Sequence, residues 1–117
     1  MPAQPRTILI FVLQKMKMSV LARRLREARQ RAGLSQEKLG IEAGLDPMSA
    51  STRMNRYELG RRVPAMELVD RIAAVLKVPA SYFYAADDDE AALLLKFHEL
   101  PMSGRAKVLA FLDEVMR

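Results

Sequence analysis

The sequence lacks several residues on which protein chemistry commonly depends. Its 117 residues include no cysteine, no tryptophan and a single histidine, His98. Without cysteine, disulfides and thiolate metal sites are excluded, and a reducing cytoplasm is the compartment we expect. His98 has no Asp or Ser partner at a recognisable spacing, which favours a surface or packing role. With no paired carboxylates at catalytic spacing and no glycine-rich phosphate loop, the sequence predicts a protein that is not an enzyme and needs no cofactor or metal.

Long hydrophobic runs are also missing. The N-terminal run Ile8–Leu13 has six apolar residues, whereas a membrane-spanning helix needs roughly 20. No small-residue cleavage site follows it, so a secretory signal is also disfavoured. We therefore expect no membrane partner. Three interpretations of residues 1–18 stay open: a segment that contacts a second copy in a dimer, a disordered arm, or an extension that precedes a start at Met18.

Charge is distributed unevenly along the chain. The net charge is +5, but residues 1–62 hold 13 Lys and Arg against 5 Asp and Glu, whereas residues 63–117 hold 6 against 9. A basic half of this kind either forms a solvated surface or faces a polyanion. The sequence favours a polyanionic partner for its N-terminal half.

Composition and periodicity predict an all-α fold. Half of the residues are apolar, and Leu, Ala, Arg and Glu, which favour helices, are frequent. The first segment carries its apolar residues at helical spacing, with arginines such as Arg24 around them. This stripe consists of Leu21, Leu25, Ala28 and Ala32. Turn and cap signals divide the rest into six further helical segments, which begin at or near Ser35, Ser49 or Ser51, Pro64, Ala80, Asp87 and Ser103.

The stretch GLSQEKLGIEAGL, residues 33–45, describes a short helix with a glycine at each boundary. Ser35 can accept a hydrogen bond from a free amide of the first turn, and Glu37 is favourable beside the positive end of the helix. Gly44 suits the left-handed conformation that ends helices. A helix of about two turns is unstable alone, so neighbouring segments must hold it.

The C-terminal part, residues 87–117, contains an acidic run and two apolar helices. The run Asp-Asp-Asp-Glu at 87–90 resembles a metal site, but carboxylates also suit the first turn of a helix, and we favour that interpretation. The two helices are apolar over wide arcs. Helices of this kind either complete a core or form a dimer interface.

Three stretches together resemble the helix-turn-helix of the phage-repressor-like family, also called the XRE family: RLREARQRAGLSQEKLG, RMNRYELGRRVP and LVDRIAAVLKVPASYF. The resemblance covers about residues 20–84. It implies a five-helix DNA-binding domain, to which this chain adds two C-terminal helices. We therefore expect residues 1–18 to be an N-terminal extension, 19–86 the DNA-binding domain, and 87–117 a helical pair that serves in dimerisation.

The resemblance also implies roles for individual residues. The start of helix 2 contacts a DNA phosphate, the exposed face of helix 3 enters the major groove, and the loop after it binds phosphates. By similarity, the DNA-binding residues are Gln36, Ser51, Thr52, Arg53, Arg56, Arg61 and Arg62. Arg56 is the residue we expect at a base edge, because a guanidinium pairs bidentately with guanine. An ion pair between Arg29 and Glu58 is implied to lock helix 3 against helix 1.

The sequence departs from the family at two points within the motif. Fourteen positions separate Gly44 from Glu58, roughly four more than a tight helix-turn-helix connection leaves. Either the turn is enlarged or helix 3 begins earlier. Gly40 stands where the family usually has alanine. Glycine lowers the stability of helix 2 by up to about 1 kcal/mol relative to alanine, unless a neighbouring backbone needs the space.

Two functions of different class follow from these observations. The first is a sequence-specific regulator of transcription that binds double-stranded DNA, most simply a repressor acting as a homodimer on a pseudo-palindromic operator. The second is an antitoxin or adaptor that binds protein through its C-terminal helices. The basic N-terminal half and the arginines of helix 3 favour the first.

Overall fold

The chain folds into successive helices. The computed structural model describes residues 20–117, and this part contains no strand. Its elements are α1 (20–31 of the described residues), α2 (Gln36–Glu42), α3 (Ala50–Glu58), α4 (Met66–Leu76), a 3-10 helix (Ala80–Tyr84), α5 (Asp88–Glu99) and α6 (Met102–Val115). The predicted all-α class, five helical segments followed by two helices, is confirmed. The expectations for residues 1–18, including Ile8–Leu13, lie outside the described residues.

One apolar core lies between α1, α2, α3, α4 and the 3-10 helix. Leu39 of α2 and Met54 of α3 are completely buried, and the rings of Tyr82 and Phe83 meet edge to face with centroids 5.6 Å apart. The fourth helix buries Leu68, Val69, Ile72, Ala73 and Leu76, whose spacing is that of one face of a helix. The stripe predicted for the first helix is wrong at its end. Ala32 is exposed, because the helix has ended and the chain turns at Gly33, whose φ is +71°.

Local signals fix both ends of α2. The Ser35 hydroxyl accepts a hydrogen bond from the Lys38 amide at 3.0 Å, as predicted for an N-cap. Gly44 has a φ of +95°, which glycine adopts without the steric cost that a Cβ brings. The guanidinium of Arg71 in α4 donates to the Ala43 carbonyl at 2.7 Å. The C-terminal end of α2 is therefore held by a turn and by a neighbouring helix.

The connection between α2 and α3 is the enlarged turn that the glycine spacing allowed. Asp46 organises it, since its carboxylate accepts from the Met48 amide at 2.8 Å and its carbonyl accepts from the Ser49 hydroxyl at 3.4 Å. Ser49 occupies the N-cap position of α3 without a side-chain cap bond. Of the two predicted starts of this helix, Ser49 and Ser51, the structure has Ser49 at the N-cap position. Its hydroxyl donates to the loop instead of capping the helix, and Ser51 lies inside α3.

Gly40 allows α2 and α3 to approach each other closely. A Cβ at this position would lie 2.9 Å from the Cβ of Ala50, 3.1 Å from Cγ of Met54 and 3.2 Å from the Ala50 carbonyl oxygen. The Ala50 Cβ is bonded to the α3 backbone and the Ala50 carbonyl oxygen is part of it, so neither atom can move aside. The absence of a side chain at Gly40 therefore sets the distance between the two helices.

Replacing Gly40 by alanine should lower the free energy of unfolding by about 1 to 2 kcal/mol, because the overpacking cost exceeds the gain in helix propensity. Urea denaturation of the full chain measures this change. Gly104→Ala in α6 is the matched control, since the nearest atom to its Cβ would be Cδ2 of Leu100 at 3.3 Å, the end of a flexible side chain that can shift. A Gly40→Ala protein as stable as the control protein would contradict the close approach.

The acidic run at 87–90 connects α5 to α1. The buried guanidinium of Arg24 donates to the Ala85 carbonyl at 2.9 Å and to Oδ1 of Asp88 at 3.0 Å, and Arg23 reaches the same carboxylate at 3.3 Å. Hydrogen bonds from Arg24 and then Arg23 hold the pKa of Asp88 below its usual value. Within residues 20–117 no group of acidic or histidine side chains could hold a metal. The run therefore starts a helix and pairs with arginines.

Within the described residues, the last helix, α6, has no buried residue. Its large apolar side chains stay exposed, and Phe111, Val115 and Met116 are each more than 60% exposed. Arg105 ties its beginning to α5 through the Phe97 carbonyl at 3.1 Å. Among the described residues, no helix is long and apolar enough to cross a membrane. Among residues 20–117, none covers the apolar side of α6.

Candidate nucleic-acid interface

The outward face of α3 is the centre of the candidate interface. Ala50, Met54 and Tyr57 point into the core, and successive residues of a helix are rotated by about 100°. The side opposite the core therefore carries Thr52, Asn55 and Arg56, all of which are exposed. Ser51 and Arg53 flank this face, one on each edge. A helix that reads bases in the major groove must have one face held by the protein and the other free to contact DNA. The third helix has this arrangement.

A buried ion pair fixes the angle of α3. Two atoms of the Arg29 guanidinium, Nε and Nη2, donate to the two carboxylate oxygens of Glu58 at 2.7 and 2.9 Å. The Glu58 side chain is only 3% exposed and that of Arg29 13%. Hydrogen bonding to Glu58 raises the pKa of Arg29 above its usual value. The pair that the family resemblance implied is confirmed, and it joins the end of α3 to α1.

Four arginines of this surface remain without an acidic partner. Within the part of the chain that the structure describes, no ion pair includes Arg53, Arg56, Arg61 or Arg62, whereas Arg23, Arg24 and Arg29 are all paired. Three of the four, Arg53, Arg56 and Arg62, line a cavity of about 360 Å³ together with Tyr57, Val63 and Ala65. Unpaired guanidiniums that converge on one depression attract phosphate and carboxylate groups.

Arg53 has a neighbour that directs it. Its Nη2 donates to the hydroxyl of Tyr57 at 3.0 Å, one helical turn further along α3. This contact holds the guanidinium at the edge of the helix, beside the cavity and away from the outward face. Arg53 therefore lies where a phosphate contact is more favourable than a base contact.

Gln36, the first residue of α2, lies beside α3. Its Nε2 donates to Oδ1 of Asn55 at 3.2 Å. Asn55 is not among the residues that the family resemblance implied, although its spacing from Thr52 and Arg56 places all three on one helix face. Of the seven predicted DNA-binding residues, Ser51, Thr52, Arg53 and Arg56 belong to α3, and Arg61 and Arg62 follow it. Gln36 lies beside α3 next to Asn55. The contact of these seven residues with DNA stays a prediction.

Comparisons with known proteins agree with this architecture. Residues 20–81 match a family described as a helix-turn-helix domain, and the chain belongs to that family. A solved structure of the transcriptional regulator BswR is similar to it, with 41% sequence identity and a TM-score of 0.75. The alignment covers 80% of this chain and 92% of the other. Among curated protein sequences, none matches the chain.

Proposed function

We propose that this protein is a sequence-specific DNA-binding regulator of transcription of the XRE type. The observation that carries the proposal is the exposed surface formed by α3 and the loop after it, whose angle the Arg29–Glu58 pair fixes. On this surface Arg53, Arg56, Arg61 and Arg62 have no acidic partner among the described residues. The family of helix-turn-helix domains and the similarity to the transcriptional regulator BswR support it.

The arrangement suits the major groove of B-DNA. With α3 in the groove, Arg56 can donate two hydrogen bonds to O6 and N7 of a guanine, the commonest specific contact of this kind. Arg53, Arg61 and Arg62 lie at the flank and the end of α3, where they can neutralise phosphates. Ser51 and Thr52 at the beginning of α3 supply hydroxyls to bases or phosphates. Gln36 begins α2 beside α3, as its hydrogen bond to Asn55 shows, and can contact a phosphate there.

We further propose that the protein is a cytoplasmic repressor that acts as a homodimer on a pseudo-palindromic operator. One reading helix contacts only a few base pairs, so specificity requires two copies about one helical turn of DNA apart. In this assignment residues 19–86 read DNA and residues 87–117 pair the two copies through the uncovered apolar side of α6. A dimer seated on its operator excludes other proteins from the same DNA, which makes repression the simplest outcome.

The uncovered side of α6 also favours a second function. An exposed apolar helix can receive a different protein, as an antitoxin or an adaptor does. Both functions predict that α6 contacts a protein. Only the first predicts that the purified chain binds duplex DNA tightly when no other protein is added. Binding of the purified chain to duplex DNA therefore separates them.

Binding to duplex DNA should weaken steeply as salt is raised, because the arginines release counterions from the phosphates they neutralise. The plot of log affinity against log salt should have a slope of about −0.9 for each phosphate contacted. Arg61→Ala and Arg62→Ala should each make this slope about one unit less steep. Arg117→Ala, which removes an arginine paired with Glu114 in α6, should leave it unchanged. A slope near zero for the unmodified protein would contradict DNA binding.

Arg56 and Arg61 should differ in the sequence dependence of their effects. Arg56→Ala should cost about 1 to 3 kcal/mol on the preferred site and relax the preference for one base, whereas Arg61→Ala should weaken all sequences alike. Affinities for a panel of single-base variants of the selected site measure the difference. If both proteins lose the same affinity on every member of the panel, Arg56 contacts a phosphate instead.

A further inference from the structure

We propose that Asn55 reads an adenine in the major groove and that Gln36 is the positioning residue that holds its amide for this contact. The inference rests on the proposed function and adds to it a base identity and a residue that the family resemblance did not select. It starts from a hydrogen bond between the half-buried Gln36 and the exposed Asn55, Gln36 Nε2 to Asn55 Oδ1 at 3.2 Å.

The position of Asn55 on α3 is the first argument. Measured from the middle of the buried side, between Met54 and Tyr57, residues 52, 55 and 56 are the ones that point most directly away from the core. Ser51 and Arg53 lie about a quarter turn from the middle of that outward side. A base edge in the groove is therefore more accessible to Asn55 than to either flanking residue.

The contact with Gln36 is the second argument. An exposed asparagine side chain ordinarily samples several rotamers, and fixing it at an interface costs roughly 0.5 to 1.5 kcal/mol. Gln36 begins a helix that is capped by Ser35 and packed through the buried Leu39, so its amide comes from a fixed part of the backbone. The hydrogen bond across the two helices therefore orients the Asn55 amide before any DNA is bound.

The chemistry of the amide selects adenine. Oδ1 has two lone pairs, and Gln36 occupies one of them. The second lone pair of Oδ1 can accept from the adenine N6 amino group, while Nδ2 donates to N7. A guanine would present O6 in place of the amino group, so two acceptors would face each other. Asn55 thus differs from Arg56, whose guanidinium has only donors and fits guanine.

The two neighbouring readers should act on different base pairs. Asn55 and Arg56 are consecutive, so their side chains diverge by about 100° around α3. Each half-site should therefore contain one position with a preference for A·T and another with a preference for G·C, which respond to different substitutions. This independence makes the proposal testable one position at a time.

The experiment is selection of bound duplexes from a random pool with the full chain and its variants. Asn55→Ala should reduce discrimination for adenine at one position of each half-site by about 5- to 150-fold while the other positions keep their preferences. Gln36→Ala should reduce the preference at that same position by a smaller factor. Asn55→Asp keeps the shape of the side chain and can still accept from Gln36, but it should replace the adenine preference by one for cytosine, whose N4 donates.

Thermal melting separates this role from a structural one. Asn55 is exposed, so its substitution should leave the melting temperature within a degree or two of the original, as expected for a surface change. Ser81→Ala, an uncharged substitution at an exposed position of the 3-10 helix, should change neither stability nor base preference. An unchanged sequence preference in Asn55→Ala and Asn55→Asp would overturn the assignment of Asn55 while leaving a sequence-specific regulator in place. Failure of the unmodified chain to enrich any sequence would overturn the proposed function itself.

A base preference that changes in Asn55→Ala but not in Gln36→Ala would overturn the positioning role of Gln36 alone. A combined Gln36→Ala/Asn55→Ala protein provides the matching measurement. If Gln36 acts through Asn55, the double variant should lose no more discrimination at that position than Asn55→Ala does by itself.

Discussion

Glu58→Ala and Arg29→Ala should each lower the free energy of unfolding by about 3 to 5 kcal/mol, because either change leaves a buried charge without its partner. Glu58 is the more enclosed of the two, with 3% of its side chain exposed. Arg29 has an additional role, since its Nη1 donates to the Leu34 carbonyl at 2.9 Å. We therefore expect Arg29→Ala to be the more destabilising of the two substitutions.

Urea denaturation of the single and double variants measures the interaction directly. Arg29→Met combined with Glu58→Leu removes both charges and fills their space, so it should be less destabilising than the sum of Arg29→Ala and Glu58→Ala. Arg26→Ala is the matched control, an exposed arginine of the same helix that forms no ion pair among the described residues, and it should change stability by less than about 0.5 kcal/mol. Small, additive costs for Arg29 and Glu58 would mean that the pair does not lock α3 against α1.

Substituting Leu109 and Leu112 by glutamate should convert a dimer into a monomer and reduce affinity for a palindromic operator by about 10²- to 10⁴-fold, the size of effect expected when two linked contacts become independent. Both leucines lie on the apolar side of α6 and are exposed in the monomer, at 54% and 37%. The monomer fold should therefore tolerate the change, whereas a dimer interface would have to bury the new charges.

Sedimentation at tens of micromolar, on the order of ordinary weak-dimer concentrations, measures the oligomeric state. Ala110→Glu places the same charge on the polar side of the same helix and should leave a dimer intact. A version that starts at Met18 tests whether residues 1–17 carry the contact instead. If the unmodified chain is monomeric, or if Ala110→Glu dissociates it equally well, α6 does not pair the two copies.

The parts of the fold that depend on neighbouring residues were predictable from the sequence. Ser35 and Gly44 mark the ends of α2 because capping acts within four residues, and the apolar spacing of α4 is read within a single helix. The family resemblance supplied the Arg29–Glu58 pair, which no local pattern contains. The start of α3 was left open because it depends on side-chain bonds of Asp46 within the enlarged turn.

Contacts between distant residues were not predictable. Arg24 was grouped with the arginines around the first helix, but it is buried, because the Ala85 carbonyl and Asp88 are available to it more than sixty residues along the chain. The hydrogen bond from Gln36 to Asn55 spans nineteen residues and two helices. Such contacts depend on how helices pack, and periodicity within one helix carries no information about them.

The Arg24 contacts with Ala85 and Asp88 have a consequence for operator geometry. They join α1 to the chain just before α5 and to its first residue, so in a dimer paired through α6 this junction would hold α5 at a fixed position relative to each DNA-binding domain. The separation of the two DNA-binding domains then has to match the helical repeat of DNA, about 34 Å per turn. Loosening this junction by Asp88→Ala should therefore broaden the range of half-site spacings that the protein accepts, while its affinity for a single half-site stays the same.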